Sequence, residues 1–549
     1  MVKSRREFLA SSALATSVGL FAPAAAGAFR RPIDPGPFEA NWQSLVANYH
    51  YPEWFRDAKF GIWAHWSAQC VPEQGDWYGR RMYLQGDKAY DYHVKTYGHP
   101  SKVGLMELQN MWRAERWEPE KLIALYKRAG AKYFMSLGSH HDNFDAYDSA
   151  YHGWNSVNIG AKKDIVGIWA KAARAAGLRF GISNHNSWAP RWLQPAYGYD
   201  GEGPMAGVRY DAFRLTKAQG KGTWWEGLDP QDLYTGPSVV IPSGYNTAAK
   251  VRDWHTKWTS LARENPLTSP RFTENWFMRC KDMVDKYRPD LVYFDTNELP
   301  LEQAGLDFAA HYYNASAAAN GGRADVVINA KHIAPDHMGA FVEDIERGTA
   351  KGARTDVWQT DTCIGQWHYD RPLAERNGYK TVAQVCRMML DIVSKNGNLL
   401  LSIPMRGDGT IDEHEVRFLE GMAAWMDVNS EGIYASRPWK IFGEGPVADG
   451  RWTPPKGAPK EAPIPYTAED IRFTTRAGAL YAYAMAVPSD GKLLIKSIPK
   501  SAGRVTGVSL LGKRGRVKWS QTPNGLAVTV PALGADAHTV GLRIRGLTI

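Results

Sequence analysis

Short apolar runs and amphipathic helical segments alternate along the chain from residue 59 to about residue 403. Several helical segments end at a glycine and lead directly into an apolar run, as EKLIALYKRAG (120–130) leads into AKYFMSLGSHHD (131–142). A helix closed by glycine and followed by a buried strand is typical of a repeated βα unit. Seven or eight such units over about 350 residues predict an α/β fold with a (β/α)8-like barrel rather than an open sheet.

Seven apolar runs are predicted to be strands of this barrel. They are KFGIWAHW (59–66), AKYFMSLGSHHD (131–142), LRFGISNHN (178–186), LVYFDTNE (291–298), DVVINAK (325–331), TDVWQTDT (355–362) and NLLLSIP (398–404). The segment 187–270, rich in Gly, Pro, Trp and Tyr, follows the third strand, so we expect it on the carboxyl-end face of the barrel.

The last hundred or so residues have a different pattern. A Pro- and Lys-rich stretch at 450–465 predicts a linker, and short alternating strands separated by turns follow it, with Pro-Asn-Gly as a hairpin signal. We therefore expect a barrel domain over 29–445 and a C-terminal β-sandwich over 446–549.

Residues 1–28 have the features of an export signal. Arg5 and Arg6, with Phe8 following, match a twin-arginine motif, and an apolar stretch of small residues ends in an A-x-A site at Ala28. This pattern predicts a bacterial periplasmic or secreted protein. No later stretch contains 18 consecutive apolar residues, so no membrane anchor is predicted.

Composition narrows the choice of partners. The net charge is +9, but basic residues are scattered among acidic ones, so no nucleic-acid partner is predicted. The positive charge could reflect an ordinary solvated surface or an affinity for acidic polysaccharides. The 22 Trp include candidates for flat sugar platforms beside ordinary core residues. Four widely spaced cysteines, without C-x-x-C, predict no zinc cluster and cannot be paired from spacing: Cys70, Cys280, Cys363 and Cys386.

Polar side chains follow the predicted strands at the end where barrel enzymes carry their chemistry. They are His65, His140, His141, Asn184, His185, Asp295, Lys331, Trp358 and Asp361. Histidine clusters can bind zinc, but adjacent residues of a strand point in opposite directions and no H-E-x-x-H or H-x-H motif is present. We therefore predict neither a metal nor a cofactor.

One carboxylate in this set, Asp295, has both a structural and a chemical interpretation. It could cap the following helix, or it could serve as the nucleophile of a retaining glycosidase, which also needs an acid/base carboxylate nearby. The stretch FVEDIERGTAKG (341–352) offers Glu343, Asp344 and Glu346 for that second role, unless it is an ordinary solvated loop.

Three long segments resemble the glycoside hydrolase family 29 α-L-fucosidases. They are WFRDAKFGIWAHWSAQCVPEQGDWYGRRMY (54–83), HHDNFDAYDSAYHGWNSVNIGAKKDIVG (140–167) and SKNGNLLLSIPMRGDGTIDEHE (394–415). The resemblance runs from about residue 40 to residue 445, and a sandwich after it also fits the family. It implies a retaining exo-glycosidase that removes terminal α-L-fucose from oligosaccharides or glycoconjugates.

The resemblance also assigns roles. It implies Asp295 as nucleophile, and we favour Glu346 over Glu343 as the acid/base. Predicted substrate contacts are His65, Asp76, Trp77, His140, His141, His185, Tyr293, Lys331 and Trp358. Asp76 replaces a Glu, and Lys331 an Arg, of many members. A relative acting on another α-L-sugar such as α-L-galactose, or an inactive carbohydrate-binding protein, remains an alternative. The sequence does not fix the linkage, the leaving group or the oligomeric state.

Overall fold

The structure is a computed structural model that describes residues 31–237, 240–260, 269–513, 515–534 and 536–549. The predicted export signal, residues 1–28, lies outside these ranges. None of the helices within them is long and apolar enough to cross a lipid bilayer. All the elements described below belong to the unit formed by Ile33–Ile549.

Eight parallel strands close into a barrel in chain order, which confirms the predicted barrel. Each strand pairs with the next, and the eighth pairs with the first. The strands are β1 Phe60–Ala64, β2 Tyr133–Ser139, β3 Arg179–Asn184, β4 Leu291–Asn297, β5 Val327–Lys331, β6 Val342–Asp344, β7 Trp358–Cys363 and β8 Gly397–Ser402.

Helices surround the barrel and fill the long loops. They are α1 Trp42–Asn48, α2 Glu53–Ala58, α3 Tyr78–Arg81, α4 Lys88–Thr96, α5 Leu105–Met111, α6 Pro119–Arg128, α7 Ile165–Ala175, α8 Ala189–Trp192, α9 Asp211–Arg214, α10 Pro230–Tyr234, α11 Ala248–Ser260, α12 Pro270–Tyr287, α13 Gln303–Ala319, α14 Arg371–Glu375, α15 Val382–Ser394 and α16 Glu413–Asn429. No α-helix separates β5 from β6 or β6 from β7, two connections that the structure describes in full. The short β6 therefore lies in a stretch that resembles a loop in the sequence.

Successive side chains of each strand point alternately into and out of the barrel, which gives two apolar layers. The inner layer is one buried cluster that includes Trp63, Tyr133, Met135, Leu291, Tyr293, Val327, Val342, Val357 and Leu400. The outer faces pack against helices in a second and larger cluster. The interior is thus a filled core, and the polar residues collect at the carboxyl ends of the strands.

Two antiparallel sheets form the C-terminal part, as predicted. The five-stranded sheet has the order β13-β16-β11-β10-β9 and the three-stranded sheet the order β12-β15-β14. Their strands are β9 Arg437–Glu444, β10 Ile471–Arg476, β11 Ala479–Ala484, β12 Lys492–Ile495, β13 Gly507–Leu510, β14 Lys518–Thr522, β15 Gly525–Thr529 and β16 Val540–Arg545. The sheets enclose their own apolar core, and the first sheet already begins at β9.

Candidate active site

Asp295, near the carboxyl end of β4, is bonded at both carboxylate oxygens. Oδ1 lies 2.5 Å from Nζ of Lys331. Oδ2 lies 3.2 Å from Nδ1 of His185 and 3.4 Å from Nε2 of His141. Burial alone would raise the pKa of this carboxyl group, but the Lys331 charge and the two imidazoles outweigh it and hold the pKa well below its usual range. Asp295 is therefore a carboxylate at neutral pH, and 27% of its side chain is exposed.

Lys331, the last residue of β5, joins Asp295 to a second carboxylate. Its Nζ lies 2.7 Å from Oε2 of Glu346 as well as 2.5 Å from Asp295. Burial would lower the pKa of the ammonium group, but the surrounding carboxylates, Asp295 foremost, raise the pKa above its ordinary value. Because one protonated nitrogen contacts both, the carboxylates of Asp295 and Glu346 lie side by side.

Glu346 belongs to a segment that runs on from β6 along β7. The backbone N–H of Ile345 donates to the carbonyl of Gln359 at 2.9 Å, and that of Arg347 donates to the carbonyl of Asp361 at 2.9 Å. These two bonds fix the chain on either side of Glu346. Its carboxylate is thereby directed to the pocket rather than left on a free loop.

The predicted linker supplies further contacts to this segment. Lys460 donates through Nζ to the carbonyl oxygen of Glu346. The carboxylate of Glu461 accepts from the Arg347 guanidinium at 3.0 Å and from the Lys380 ammonium at 3.1 Å. Glu461 is only 12% exposed, so these are largely desolvated ion pairs. Residues 460 and 461 therefore hold the Glu346 segment in place together with β7.

Five imidazoles cluster beside Asp295, with ring centres of neighbours 4.5–5.6 Å apart: His65, His140, His141, His185 and His368. Burial, aided by neighbouring imidazoles, lowers the pKa of His65 and His140 well below the ordinary value, and burial lowers that of His185 to about 4. A neutral imidazole offers one donor and one acceptor. Neither nitrogen of His65 has a hydrogen-bond partner among the described residues, which leaves both for a ligand.

The chain turns directly after β2, which lets two successive imidazoles join one cluster. Nδ1 of His140 pairs with the Gln69 amide at 2.8 Å, and Nδ1 of His141 pairs with the carbonyl oxygen of His185 at 2.8 Å. Asn143 adopts a φ of 59° within this turn, a left-handed backbone that asparagine tolerates.

A buried ion pair stabilises this turn. Arg279 of α12 donates to both carboxylate oxygens of Asp145, at 2.5 and 3.0 Å, and to the Asn143 side-chain oxygen at 2.7 Å. The Arg279 and Asp145 side chains are at most 1% exposed. The bidentate geometry fixes the loop that carries both imidazoles.

Replacing Arg279 by methionine is expected to lower the free energy of unfolding by about 3–5 kcal/mol, because the Asp145 carboxylate is then buried without its partner. Urea unfolding measures the loss. Arg271→Met is the matched control, since its pair with Asp232 is exposed and a change within about 0.5 kcal/mol is expected. Equal stabilities of the two variants would contradict the assignment.

Asp76 and Trp77 reach the pocket from the loop after β1. Oδ1 of Asp76 lies 2.9 Å from Nδ1 of His368, so the carboxylate orients that imidazole. Trp77 has φ 60° and ψ 20°, a left-handed conformation that is strained for a bulky residue. Its indole is 43% exposed and lies 5.9 Å from the His141 ring. The backbone thus holds an aromatic face at the pocket.

Tyr293 lies under the Lys331 ammonium, whose nitrogen is 5.9 Å from the ring centre. Its hydroxyl donates to Asp361 at 3.0 Å, and the adjacent Asp344 accepts from the Gln359 amide at 2.9 Å. Burial raises the pKa of both carboxyl groups, and for Asp344 the neighbouring Asp361 raises it further. A buried, hydrogen-bonded pair of carboxyl groups therefore lies beneath the site.

Trp358, an expected substrate contact, does not reach the pocket. It is the first residue of β7, so it lies at the end of the strand remote from Asp361 and the carboxylate pair. Its indole N–H donates to the carbonyl of Lys395 at 2.9 Å. The expectation is corrected because the strand begins at Trp358 instead of ending there.

Glu343, the reserve acid/base candidate, also lies outside the pocket. Val342 belongs to the inner layer of the barrel, and alternation places the next side chain on the outer face. There the Glu343 carboxylate pairs with Arg354 at 2.5 Å. Of the two glutamates, only Glu346 contacts Lys331.

His368 is a site residue that sequence reasoning missed. It follows β7 in the stretch QWHYD (366–370), next to Trp367, whose ring lies 5.6 Å from that of His65. A tryptophan–histidine pair after a strand was an available signal. The strand-end prediction for this part of the chain named Trp358 and Asp361 and did not extend to His368.

A cavity of about 530 Å³ opens above the carboxylate pair. Its lining includes Asp295, Lys331 and Glu346 at one end, together with Trp77, Trp188 and Arg191. This volume is within the range of ~300–1,000 Å³ that small-molecule sites occupy. The cavity is therefore a substrate-sized pocket with two carboxylates at one end.

The imidazole cluster could also suit a metal ion. His65, His140 and His368 form one set of three, and His140, His141 and His185 form another, with one ligand atom of each lying within 4.8 Å of the others. Three imidazoles are a known zinc ligand set. Neither set includes a cysteine. The four cysteines are all buried and free: Cys70, Cys280, Cys363 and Cys386.

Two family models match the chain. The model for alpha-L-fucosidase matches residues 28–431, and the model for the alpha-L-fucosidase C-terminal domain matches residues 465–543. The first match spans most of the chain and contains the whole barrel with its pocket. The second falls on the antiparallel sheets.

Curated relatives and solved structures agree with these matches. Tissue alpha-L-fucosidase of Rattus norvegicus is 25% identical over 533 residues, which cover 94% of each chain. Plasma alpha-L-fucosidase of Homo sapiens is 25% identical over 507 residues, which cover 90% of this chain and 89% of the relative. The Thermotoga maritima alpha-fucosidase in complex with fucose is 25% identical, with a TM-score of 0.66 over 92% of this chain and 99% of that one. The chain therefore belongs to the α-L-fucosidases of glycoside hydrolase family 29.

Proposed function

We propose that this member removes terminal α-L-fucose from fucosylated glycans with retention of configuration, with Asp295 as nucleophile and Glu346 as acid/base. The observation that carries the proposal is the bridge from the Lys331 ammonium to both carboxylates, at 2.5 and 2.7 Å. The two bridged oxygens can be no farther apart than these contacts combined, which supports the ~5–5.5 Å separation of retaining enzymes over the ~6.5–9.5 Å separation of inverting ones.

In the first step, the Asp295 carboxylate attacks the anomeric carbon. Glu346, as the carboxylic acid, gives its proton to the glycosidic oxygen while the bond to the leaving group breaks. The products are a fucosyl ester on Asp295 and a Glu346 carboxylate. Asp295 is suited to this role because its lowered pKa keeps it ionised.

In the second step, the Glu346 carboxylate takes a proton from water, and the oxygen of that water attacks the anomeric carbon and displaces Asp295. Lys331 supports both steps. Its charge faces the Asp295 carboxylate before the first step and the Glu346 carboxylate after it, so the local charge around the ammonium stays constant. A fixed cation that serves both states needs no reorganisation during the reaction.

The neutral imidazoles suit the sugar hydroxyls. A neutral His65 can donate to one hydroxyl and accept from another, because neither of its buried nitrogens has a partner among the described residues. Hydrogen bonds that strengthen as positive charge develops on the sugar ring lower the barrier. Trp77 offers the apolar face that the methyl group of fucose requires.

Hydrolysis of 4-nitrophenyl α-L-fucoside, followed by proton NMR, tests the function directly. We expect α-L-fucose as the first-formed product, before mutarotation, and slower turnover of the α-L-galactoside. First-formed β-fucose would overturn the retaining mechanism. Faster turnover of the galactoside would reassign the sugar, and inertness toward both would favour a binding protein.

His140→Ala and His141→Ala are each expected to lower kcat/KM for the fucoside by a factor equivalent to about 2–4 kcal/mol, because a buried hydroxyl of the sugar loses its partner. His414→Ala is the control, because His414 lies in α16 and pairs with the Arg417 side chain instead of a pocket residue. Full activity of both variants would contradict the assignment.

Treatment with a chelator separates sugar binding from metal binding at the imidazole cluster. We expect EDTA to leave the activity of the native protein unchanged. Loss of activity in EDTA, with recovery on addition of zinc, would favour the metal alternative.

Export remains part of the proposal. Residues 1–28 would direct the folded protein through the twin-arginine pathway, and a mature N-terminus near Phe29 in a periplasmic or secreted fraction would support it.

A further inference from the structure

The proposed mechanism needs opposite protonation states in two carboxyl groups that share one ammonium group. Asp295 must be ionised, whereas Glu346 must hold the proton that it gives to the glycosidic oxygen. Yet the Lys331 ammonium lies 2.7 Å from the Glu346 carboxyl group, and a neighbouring cation favours the ionised form of an acid. Retention of the proton on Glu346 therefore calls for a further negative charge near Lys331.

A buried pair of carboxyl groups lies beneath the site, on the neighbouring strands β6 and β7. Its members, Asp344 and Asp361, are at most 2% exposed and are hydrogen-bonded to each other. An ionised carboxylate can only accept a hydrogen bond. A hydrogen bond between two carboxyl groups therefore requires a proton on one of them.

Each member of the pair has one oxygen bonded to a neutral side chain. Oδ1 of Asp344 accepts from the Gln359 amide at 2.9 Å, and Oδ2 of Asp361 accepts from the Tyr293 hydroxyl at 3.0 Å. The second oxygen of each group has no donor among the described residues. One proton shared by the pair would serve both of these oxygens, whereas two ionised groups would leave both unpaired and bring two buried charges together.

The pair interacts with the charges that take part in the reaction. Burial would lower the pKa of the Lys331 ammonium, but Asp295, followed by Asp361, raises it. Asp361 also interacts electrostatically with the Glu346 carboxyl group. Burial raises the pKa of both members of the pair, which favours a retained proton, while the Lys331 charge favours ionisation of one member.

The other titratable groups around the pair are neutral or paired elsewhere. Tyr293 of β4 and Tyr133 of β2 keep their protons, because burial raises the pKa of both hydroxyls well above the ordinary value. The Arg347 guanidinium, which follows Glu346 in the chain, pairs with Glu461 instead. Within the part of the chain that the structure describes, the charges that act on the pair are those of Lys331, Asp295 and Glu346.

We propose that Asp344 and Asp361 share one proton and form a positioning pair, whose single negative charge offsets Lys331 and keeps Glu346 in its acid form. Lys331 then balances the Asp295 carboxylate, and the charge of the pair opposes ionisation of Glu346. The shared proton stays on the pair throughout, since the proton that moves to the glycosidic oxygen comes from Glu346. The inference rests on the proposed function, because it takes Glu346 as the acid/base.

Asparagine substitutions count the charges on the pair, because an amide has the shape of a carboxyl group but carries no charge. Asp344→Asn and Asp361→Asn each leave one carboxylate, which gains an amide N–H donor in place of the shared proton. The single negative charge is thereby kept. We expect both single variants to retain the native pH at which kcat/KM for a fucosyl disaccharide falls on the basic side.

The double variant, Asp344→Asn with Asp361→Asn, removes that charge. Glu346 should then lose its proton more readily, so the basic limb of the kcat/KM profile should move to lower pH by about one unit. Asp344→Ser with Asp361→Asn is a second uncharged pair for use if the first does not fold. Thermal melts check the fold of every variant.

Two controls separate an effect of charge from an effect on structure. A dinitrophenyl fucoside leaves without the Glu346 proton, so the double variant should show no such shift on that substrate. Asp211→Asn replaces another buried carboxyl group that accepts from tyrosine hydroxyls, those of Tyr83 and Tyr234, and that does not line the pocket. It should leave both profiles unchanged.

Three outcomes would overturn the inference. A shift to lower pH in both single variants would show that both carboxyl groups are ionised in the native protein. An unchanged basic limb in a folded double variant would show that the pair carries no charge that acts on Glu346. An equal shift on the disaccharide and the dinitrophenyl fucoside would show that the effect is structural.

The failure of this inference can be distinguished from failure of the proposed function. Hydrolysis of the disaccharide by the native protein, with any of these three results, would leave the proposed function intact. A native protein inert toward both the disaccharide and the dinitrophenyl fucoside would instead overturn the proposed function, and the inference with it.

Discussion

Replacement of Asp295 by glycine is expected to lower kcat on 4-nitrophenyl α-L-fucoside by about 10⁴-fold or more, as loss of a nucleophile does in other covalent mechanisms. The fold should persist, because the Lys331 ammonium keeps its 2.7 Å contact with Glu346 when Asp295 is removed. Added azide should restore turnover, because it can attack the anomeric carbon from the face that the carboxylate leaves open. The product is then β-L-fucosyl azide.

NMR of the azide product and a thermal melt of the variant check this prediction. Asp336→Gly is the control, because its side chain is 82% exposed and lies on the loop after β5. Near-normal activity of Asp295→Gly, or an absence of azide rescue in a folded variant, would contradict the assignment.

Replacement of Glu346 by alanine is expected to affect substrates according to their leaving group. A disaccharide leaves as a poorly stabilised alkoxide and needs the proton, so its kcat/KM should fall by about 10²–10⁴-fold. A dinitrophenyl fucoside leaves without protonation, so its first step should change little. Azide should accelerate the variant on that activated substrate, since the fucosyl ester then waits for a base that is missing.

Glu343→Ala provides the comparison. Its carboxylate pairs with Arg354 on the outer face of the barrel, so any loss of activity should be the same for both substrates. If Glu343→Ala shows the dependence on leaving group and Glu346→Ala does not, the roles must be exchanged.

The barrel could be predicted because its signals are local and repeated. Glycine-closed helices and apolar runs marked seven strands at positions close to those observed. The one strand that was not predicted is β6, Val342–Asp344. It has only three residues and two of them are acidic, so it has neither the length nor the hydrophobicity that marks a strand in a sequence. It forms because both neighbouring strands offer it backbone partners.

The site was predictable where position along a strand decides it. Lys331 ends β5 and His185 follows β3, and both contact Asp295. Position along a strand does not decide the direction of a side chain: Glu343 and Glu346 are three residues apart, and only Glu346, the residue favoured from the family resemblance, contacts Lys331. The local signal for His368 was the Trp367–His368 pair after the strand, but its place in the site depends on contacts with the distant Ser67 and Asp76.

The contacts of residues 460 and 461 bear on how much of the chain holds the active site. These residues fall between the two matched family regions, 28–431 and 465–543, yet Lys460 bonds the Glu346 carbonyl and Glu461 pairs with Arg347, the next residue. The position of the Glu346 segment therefore depends on residues that follow the barrel in the chain. A barrel cut off at residue 445 would retain all twelve residues predicted for catalysis and binding and would still lose these contacts to the Glu346 segment.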